Sequence, residues 1–446
     1  MSQLSVLRDP ILALEKRIDT LSEEAATLHA CLEKAGLLRR ETIYSELHRR
    51  RFAAILRKNP LVDEASDTAA DRLLSDPAVA LIVCSNTGAL AGQALRAVSQ
   101  DIGRAAAKVL DCVKHTKILV CGGNNGVHSL NTCEQFDLAV GDWEPLPSMS
   151  ARRSNAVIGM LRGHLYVCGG FDDEQELDSA ECFQPEARTW IQLPAMSSRR
   201  LGAAAAVALD RFYVCGGHDG HECLNSAECY DPELAEWVTL PVMGARRLGA
   251  AVGVLEDRLY ICGGSGDVPS LSSAERFDPF MRMWEELPSM SARRWGAVAA
   301  VLAGHLYLCG GHSRTITTVS SAERFDPDTH RWQDLPPMSS CRAHAAACVL
   351  GGRLYVCGGN DGSETLNSAE FFDPAVDAWT PLPVMPARRW IAAAVGLAGQ
   401  LYVCGGHEGQ QHLRTLDRYD PVTGVWEPLA SMSISCGDVL AVGLVF

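Results

Sequence analysis

Arginine stands in front of a short run of small residues six times in this sequence, at Arg153, Arg200, Arg247, Arg294, Arg342 and Arg389. In five of the six a second arginine comes directly before it, at Arg152, Arg199, Arg246, Arg293 and Arg388. A guanidinium offers two parallel donors that meet the two oxygens of a carboxylate, so such a row can hold buried acids in place or take an acidic ligand. Acids recur at the same interval: Glu134, Glu181, Glu228, Glu275, Glu323, Glu370, then Asp417. The two uses are compatible. One arginine per repeat can pair with an acid as structure, which leaves the doublet partners freer to reach a ligand. Cys436 breaks the arginine series, whereas Asp417 keeps the acid series intact. Two tryptophans, Trp295 and Trp390, follow arginines in repeats two apart, and Ala343-His344 occupies the equivalent place between them. A low spot between aromatic walls and arginines has the composition of a binding hot spot. The alternative is that each tryptophan packs under its neighbouring loop.

These residues recur because the whole chain from about residue 117 recurs. Glycine pairs begin at Gly122, Gly169, Gly216, Gly263, Gly310, Gly358 and Gly405, with a period of 47 residues and one extra residue in the stretch from Ser313 to Val319. Each pair is followed at constant distance by a tryptophan, Trp143, Trp190, Trp237, Trp284, Trp332, Trp379 and Trp426. One unit reads as a small-residue strand (Gly202 to Leu209), an aromatic strand (Phe212-Tyr-Val-Cys215), a glycine turn, a third strand ending at Asp231-Pro232, and a fourth around Trp237. Glycine supplies positive φ at the first break, and proline cannot donate to a ladder at the second. A lone four-stranded sheet exposes both faces, so the units must stack. The period tryptophans, the Tyr before Val-Cys and the Met after Leu-Pro suit filling between sheets, and small-residue strands suit a crowded axis.

The ends of the chain predict closure. The first unit begins at Lys117 without a small-residue strand, and the last eleven residues, Cys436 to Phe446, form a strand with nothing after it. We therefore expect an all-β ring of seven four-stranded antiparallel blades over residues 116–446, the C-terminal strand lying innermost in the first blade. Seven of the 17 cysteines stand directly before the glycine pairs, which reads as reduced, buried thiols rather than a disulfide framework.

Residues 1–58 read as a helical segment with an apolar seam from Ile11 to Leu32, either a short coiled coil that makes a homo-oligomer or half of a helical hairpin. Residues 59–115 read as a linker and a further helical stretch. With 16 Lys+Arg and 15 Asp+Glu in residues 1–115, the remaining 24 and 39 leave a net charge of −15 on the repeats. So acidic a surface repels phosphate backbones, and nucleic acid is not the expected partner. The N-terminal residues lack a signal-peptide pattern and no apolar run is long enough to cross a bilayer, so no membrane role and a cytoplasmic location are expected.

Paired glycines, Tyr before Val-Cys, Ser-Ala-Glu with Tyr/Phe-Asp-Pro, and Trp before Leu-Pro-x-Met together resemble kelch repeats over residues 117–446. The resemblance implies a β-propeller that works as a protein-interaction module. In kelch-like substrate receptors of cullin-based ubiquitin ligases, arginines at the positions matching this series line the propeller mouth and read acidic peptides. An adaptor role of that kind, with a protein or peptide partner, is the reading the resemblance implies. An actin-binding scaffold is the alternative. Residues 1–115 show neither the BTB nor the BACK pattern of such adaptors. A galactose-oxidase-like metalloenzyme on the same fold would need imidazoles such as His218, His312 and His407 to converge with tyrosine oxygens on the axis. The tyrosines are committed to repeat positions, so no catalytic residue, cofactor or metal is expected.

Overall fold

The computed structural model of the protein describes residues 116–313, 317–438 and 440–445. The helical seam, linker and second helical stretch expected in residues 1–115 lie outside the described residues.

Each repeat makes one antiparallel sheet. Blade 1 contains β1 (Thr116–Cys121), β2 (Cys133–Asp137) and β3 (Asp142–Leu146); blade 2 contains β4 (Val157–Leu161), β5 (His164–Cys168), β6 (Ala180–Gln184) and β7 (Thr189–Leu193). Blade 3 runs from β8 (Ala204–Ala208) to β11 (Glu236–Thr239), and blade 4 from β12 (Ala251–Leu255) to β15 (Met283–Leu287). Blade 5 runs from β16 (Val298–Leu302) to β19 (Arg331–Leu335), blade 6 from β20 (Ala346–Leu350) to β23 (Ala378–Pro381), and blade 7 from β24 (Ala393–Leu397) to β27 (Val425–Pro428). The last strand, β28 (Leu440–Val445), joins blade 1 in the order β28-β1-β2-β3. Seven four-stranded blades result, and the chain end completes the sheet made by residues 116–146, as the sequence requires. The same seam is tied outside the strands, where Asn124 and Gly437 exchange backbone hydrogen bonds of 2.8 Å in both directions.

Apolar side chains fill the spaces between neighbouring sheets. Between blades 2 and 3, Leu161, Tyr166, Cys168 and Met196 pack against Phe212, Val214 and Tyr230. At two glycines of the inner strands the small residue is required by an apolar side chain of the next blade. A Cβ on Gly159 would lie 2.5 Å from the Phe212 ring of the next blade, and one on Gly253 would lie 2.6 Å from Leu306 Cδ1. The seven cysteines before the glycine pairs are free and buried, and burial pushes the Cys215 thiol up to about 12.

The period tryptophans lie nearer the rim than a core role implies, mostly half-buried. Each rests on the aromatic residue opposite it, as Trp190 does on Phe183 at 5.2 Å between ring centres. Each also donates its indole N–H to a carbonyl of the preceding blade: Trp190 to Pro147 at 2.8 Å, Trp237 to Pro194 at 2.9 Å, and across the seam Trp143 to Ala430 at 2.7 Å. The Asp-Pro turns have a local cause. In Asp231, one carboxylate oxygen accepts the backbone N–H groups of Glu233 and Leu234, so the side chain makes the turn while proline gives up no ladder bond.

Candidate functional site

The crossover into each of blades 2 to 7 carries the arginine, and the third strand of that blade carries the acid. Arg153 pairs with Glu181, Arg200 with Glu228, Arg247 with Glu275, Arg294 with Glu323, Arg342 with Glu370 and Arg389 with Asp417. All six guanidinium groups are buried. Burying a charge is costly unless it is paired and its donors are satisfied. Arg200 meets that demand through Nη1 to the Gly216 and Ser226 carbonyls at 2.8 and 3.0 Å, and through Nη2 to Ser226 Oγ and Glu228 Oε1 at 3.0 and 2.9 Å. The other carboxylate oxygen of Glu228 accepts the Ser197 N–H from the same crossover as Arg200, at 2.9 Å. These six arginines hold the blades and are out of a ligand's reach. Glu134, the acid of blade 1, is held by Ser433 instead, with Cys436 at the arginine position.

The glycine pairs lock onto the same crossovers one blade further on. Gly170 N donates to Arg200 O at 2.8 Å, and a Cβ on Gly169 would stand 2.3 Å from that carbonyl. Beyond the arginine, the next residue bridges to the residue after the glycine pair of its own blade: Leu201 to His218, Leu248 to Ser265, Trp295 to His312, Ala343 to Asn360 and Trp390 to His407. The residue after that turns through positive φ in all seven blades, at Asn155, Gly202, Gly249, Gly296, His344, Ile391 and Asp438. From Asn155 to Ile391 six of these positions are joined by backbone hydrogen bonds, each N–H donating to the previous carbonyl. They rim one mouth of the propeller. At the seam the rim is completed by a side-chain bond, Asn155 Nδ2 to Asp438 Oδ2 at 3.2 Å, and burial raises the Asp438 carboxyl.

On this mouth the residues form an apolar and aromatic arc. His344 stands edge-on to Trp295 at 5.0 Å and to Trp390 at 6.1 Å between ring centres. The expected low spot between the two tryptophans is therefore occupied by the His344 ring. The arc continues from Trp295 to His312 at 5.4 Å, and from Trp390 through His407 at 6.0 Å to His412, a further 4.6 Å on. Burial, helped by the neighbouring His312, holds the His344 imidazole down at about 4. Leu201 and Leu248 extend the arc toward blades 3 and 4, and both tryptophans are half-exposed. Behind it a cavity of about 320 Å³ is lined by Gly296, Ala299, His344, Ala347, Ile391 and Ala392, among others.

The outer arginines are less free than the doublet pattern implies. Arg388 donates to Glu364 at 2.6 Å and to the Thr365 carbonyl at 2.7 Å. Arg246 bonds Glu222, and Arg152 lies 3.5 Å from Asp173. The acids of the variable loops thus engage three of the five. Arg293 reaches only the Ser270 carbonyl, at 3.4 Å, and Arg199 has no ion pair among the described residues. His218, His312 and His407 sit on blades 3, 5 and 7, and among the described residues no three His, Cys, Asp or Glu side chains converge as a metal set. His312 and His407, which the sequence offers only as metal-ligating imidazoles, belong to the mouth, as do Leu201, Leu248 and Ile391, which were not singled out from sequence. Their fixed offsets from the arginines or the glycine pairs were the available signal.

Comparison with known proteins agrees with this geometry. The family description KLHDC2/KLHL20/DRC7 Kelch-repeats domain matches residues 96–264 and 249–437. Among solved structures, one titled "Structure of YjhT" superposes with a TM-score of 0.52 at 15% identity, covering 64% of this chain and 99% of that one, which speaks to the fold alone. No curated protein matches the sequence. Seven blades, a buried arginine behind the glycine pair, and a family match running from before the first blade into the last crossover place the chain in the kelch-repeat family.

Proposed function

We propose that the protein is a recognition module without catalytic turnover, binding a protein or peptide segment at the mouth rimmed by Asn155, Gly202, Gly249, Gly296, His344, Ile391 and Asp438. Kelch propellers are protein-interaction modules, which supports the general reading. The observation that carries the specific one is the continuous arc of Trp295, His344 and Trp390, with both tryptophans partly exposed, the exposed Arg293 on the same crossover as Trp295 and the exposed Arg199 two blades away. Such a surface suits an apolar or aromatic anchor, with carboxylates beside it for the two arginines. A substrate-adaptor role is one use of this site.

The test is crosslinking capture from native lysate with the full chain, comparing Trp295→Ala, Trp390→Ala and Arg199→Glu with Asp210→Ala. Asp210 lies in the β-turn at the far end of the inner strands. Loss of about 1–3 kcal/mol per aromatic truncation, roughly fivefold to a hundredfold in affinity, is expected for the mouth variants and none for Asp210→Ala. Equal capture by all four variants would remove the site.

A further inference from the structure

Six blades fill the same space with a guanidinium, and the seventh does not. In blade 1 the acceptors that correspond to the partners of Arg200 are the Gly122 carbonyl, the Thr132 carbonyl and hydroxyl, and the Glu134 carboxylate. The residue at the arginine position is Cys436, whose short side chain carries no positive charge. The neutral half of the arrangement survives: Ser433 donates its N–H to Glu134 Oε2 at 3.0 Å and its hydroxyl to Oε1 at 2.6 Å, as Ser197 does for Glu228. The cationic half is missing. Glu134 is 8% exposed and, among the described residues, has no cationic partner.

A cavity takes the guanidinium's place. Gly122, Thr132, Glu134 and Cys436 line one side and the apolar Val120, Leu130, Met432 and Ile434 complete the lining, and its volume of about 10 Å³ admits the centre of one water-sized particle. Burial, then the nearby Cys404 and Glu134, push the Cys436 thiol well above its usual range, so it stays neutral and offers no soft thiolate ligand. What remains in the polar part of the lining is a small set of hard oxygen donors beside a single carboxylate. Calcium or magnesium sites bring oxygen ligands in greater number and more than one carboxylate as a rule. One buried carboxylate calls for one positive charge, which arginine supplies in every other blade.

We propose that blade 1 holds a water-sized monovalent cation, potassium or ammonium, in the place of the absent guanidinium, bound by Glu134, the Gly122 and Thr132 carbonyls and the Thr132 hydroxyl. The site lies where the two ends of the propeller meet, since Ser433 and Cys436 come from the last crossover and Gly122 to Glu134 from the first sheet. Occupancy therefore stabilises the closed ring, by mass action on the folded state.

Thermal unfolding of the full chain in potassium, ammonium, sodium or N-methylglucamine chloride at matched ionic strength tests the site. The midpoint is expected to rise saturably in potassium or ammonium relative to N-methylglucamine, by a shift on the order of 3 °C, and whichever of the two acts identifies the guest. Cys436→Arg, which supplies its own guanidinium, is expected to abolish the dependence, as is Glu134→Gln. Thallium soaked into crystals of the unmodified protein gives a readout that needs no variant to fold, with an anomalous peak expected beside Glu134. Equal midpoints in all four salts, a dependence that survives in either variant, or a water with no thallium peak would overturn the proposal.

Discussion

At the scale of single residues, the mouth is governed by what a buried side chain can bear. His344 lies in the left-handed region at φ 51°, a conformation that asparagine also tolerates. Its imidazole is held near 4 by burial first and by the His312 ring second, against an ordinary value near 6.5. The neutral form is thus favoured in the folded protein, and the unfolded chain binds the extra proton between these values. Stability contributed by this group is complete above pH 6.5 and is lost as pH falls toward about 4. Denaturant midpoints across that window should fall with decreasing pH, less steeply in His344→Asn than in the unmodified protein. Identical slopes would show that His344 is not the titrating group.

At the scale of elements, the glycine turn after each second strand is as much a joint between blades as a turn within one. Gly216 has φ 66°, and a Cβ there would stand 2.2 Å from the Arg247 carbonyl of the next crossover. Gly163, in the hairpin between β4 and β5, has φ 77° with nothing within 4 Å. Left-handed strain alone costs a non-glycine residue about 1–2 kcal/mol. Gly163→Ala should stay in that range, whereas Gly216→Ala adds a backbone collision and should cost at least about 3 kcal/mol in all. Comparing thermal midpoints of the two variants checks this, and similar shifts would deny the joint. The inner strands follow the same logic, since Gly159 and Gly253 are small because Phe212 and Leu306 of neighbouring blades lie against them.

At the scale of the whole molecule, closure rests on contacts that elsewhere join consecutive segments and at the seam join the two ends of the propeller. They are β28 on β1, the paired bonds between Asn124 and Gly437, the Trp143 bond to Ala430 and the Ser433 bonds to Glu134. A chain ended after Ser435 keeps the other six blades but leaves β1 as an open edge, and an open edge recruits other strands. Size-exclusion chromatography should show higher oligomers or aggregate for the truncated chain, together with a lower, broader thermal transition. A monomer with an unchanged midpoint would show that the ring does not depend on its seam.

The 47-residue recurrence of Gly-Gly, Trp and Arg by itself determined the blade count, the four strands per blade and the closing strand, because each mark answers a local need for positive φ, inter-sheet packing or charge pairing. The pairing of one arginine per blade with an acid was legible for the same reason, as both residues keep a fixed offset within one sheet. What the tertiary structure alone decided lies between repeats. His344 of one blade fills the gap between tryptophans of two others, acids of the variable loops take up Arg152, Arg246 and Arg388, and the first and last units together leave Glu134 without its guanidinium. These depend on which side chains meet once the ring has closed, and a periodic pattern carries the position of a residue within its blade but not the identity of the neighbour it will face.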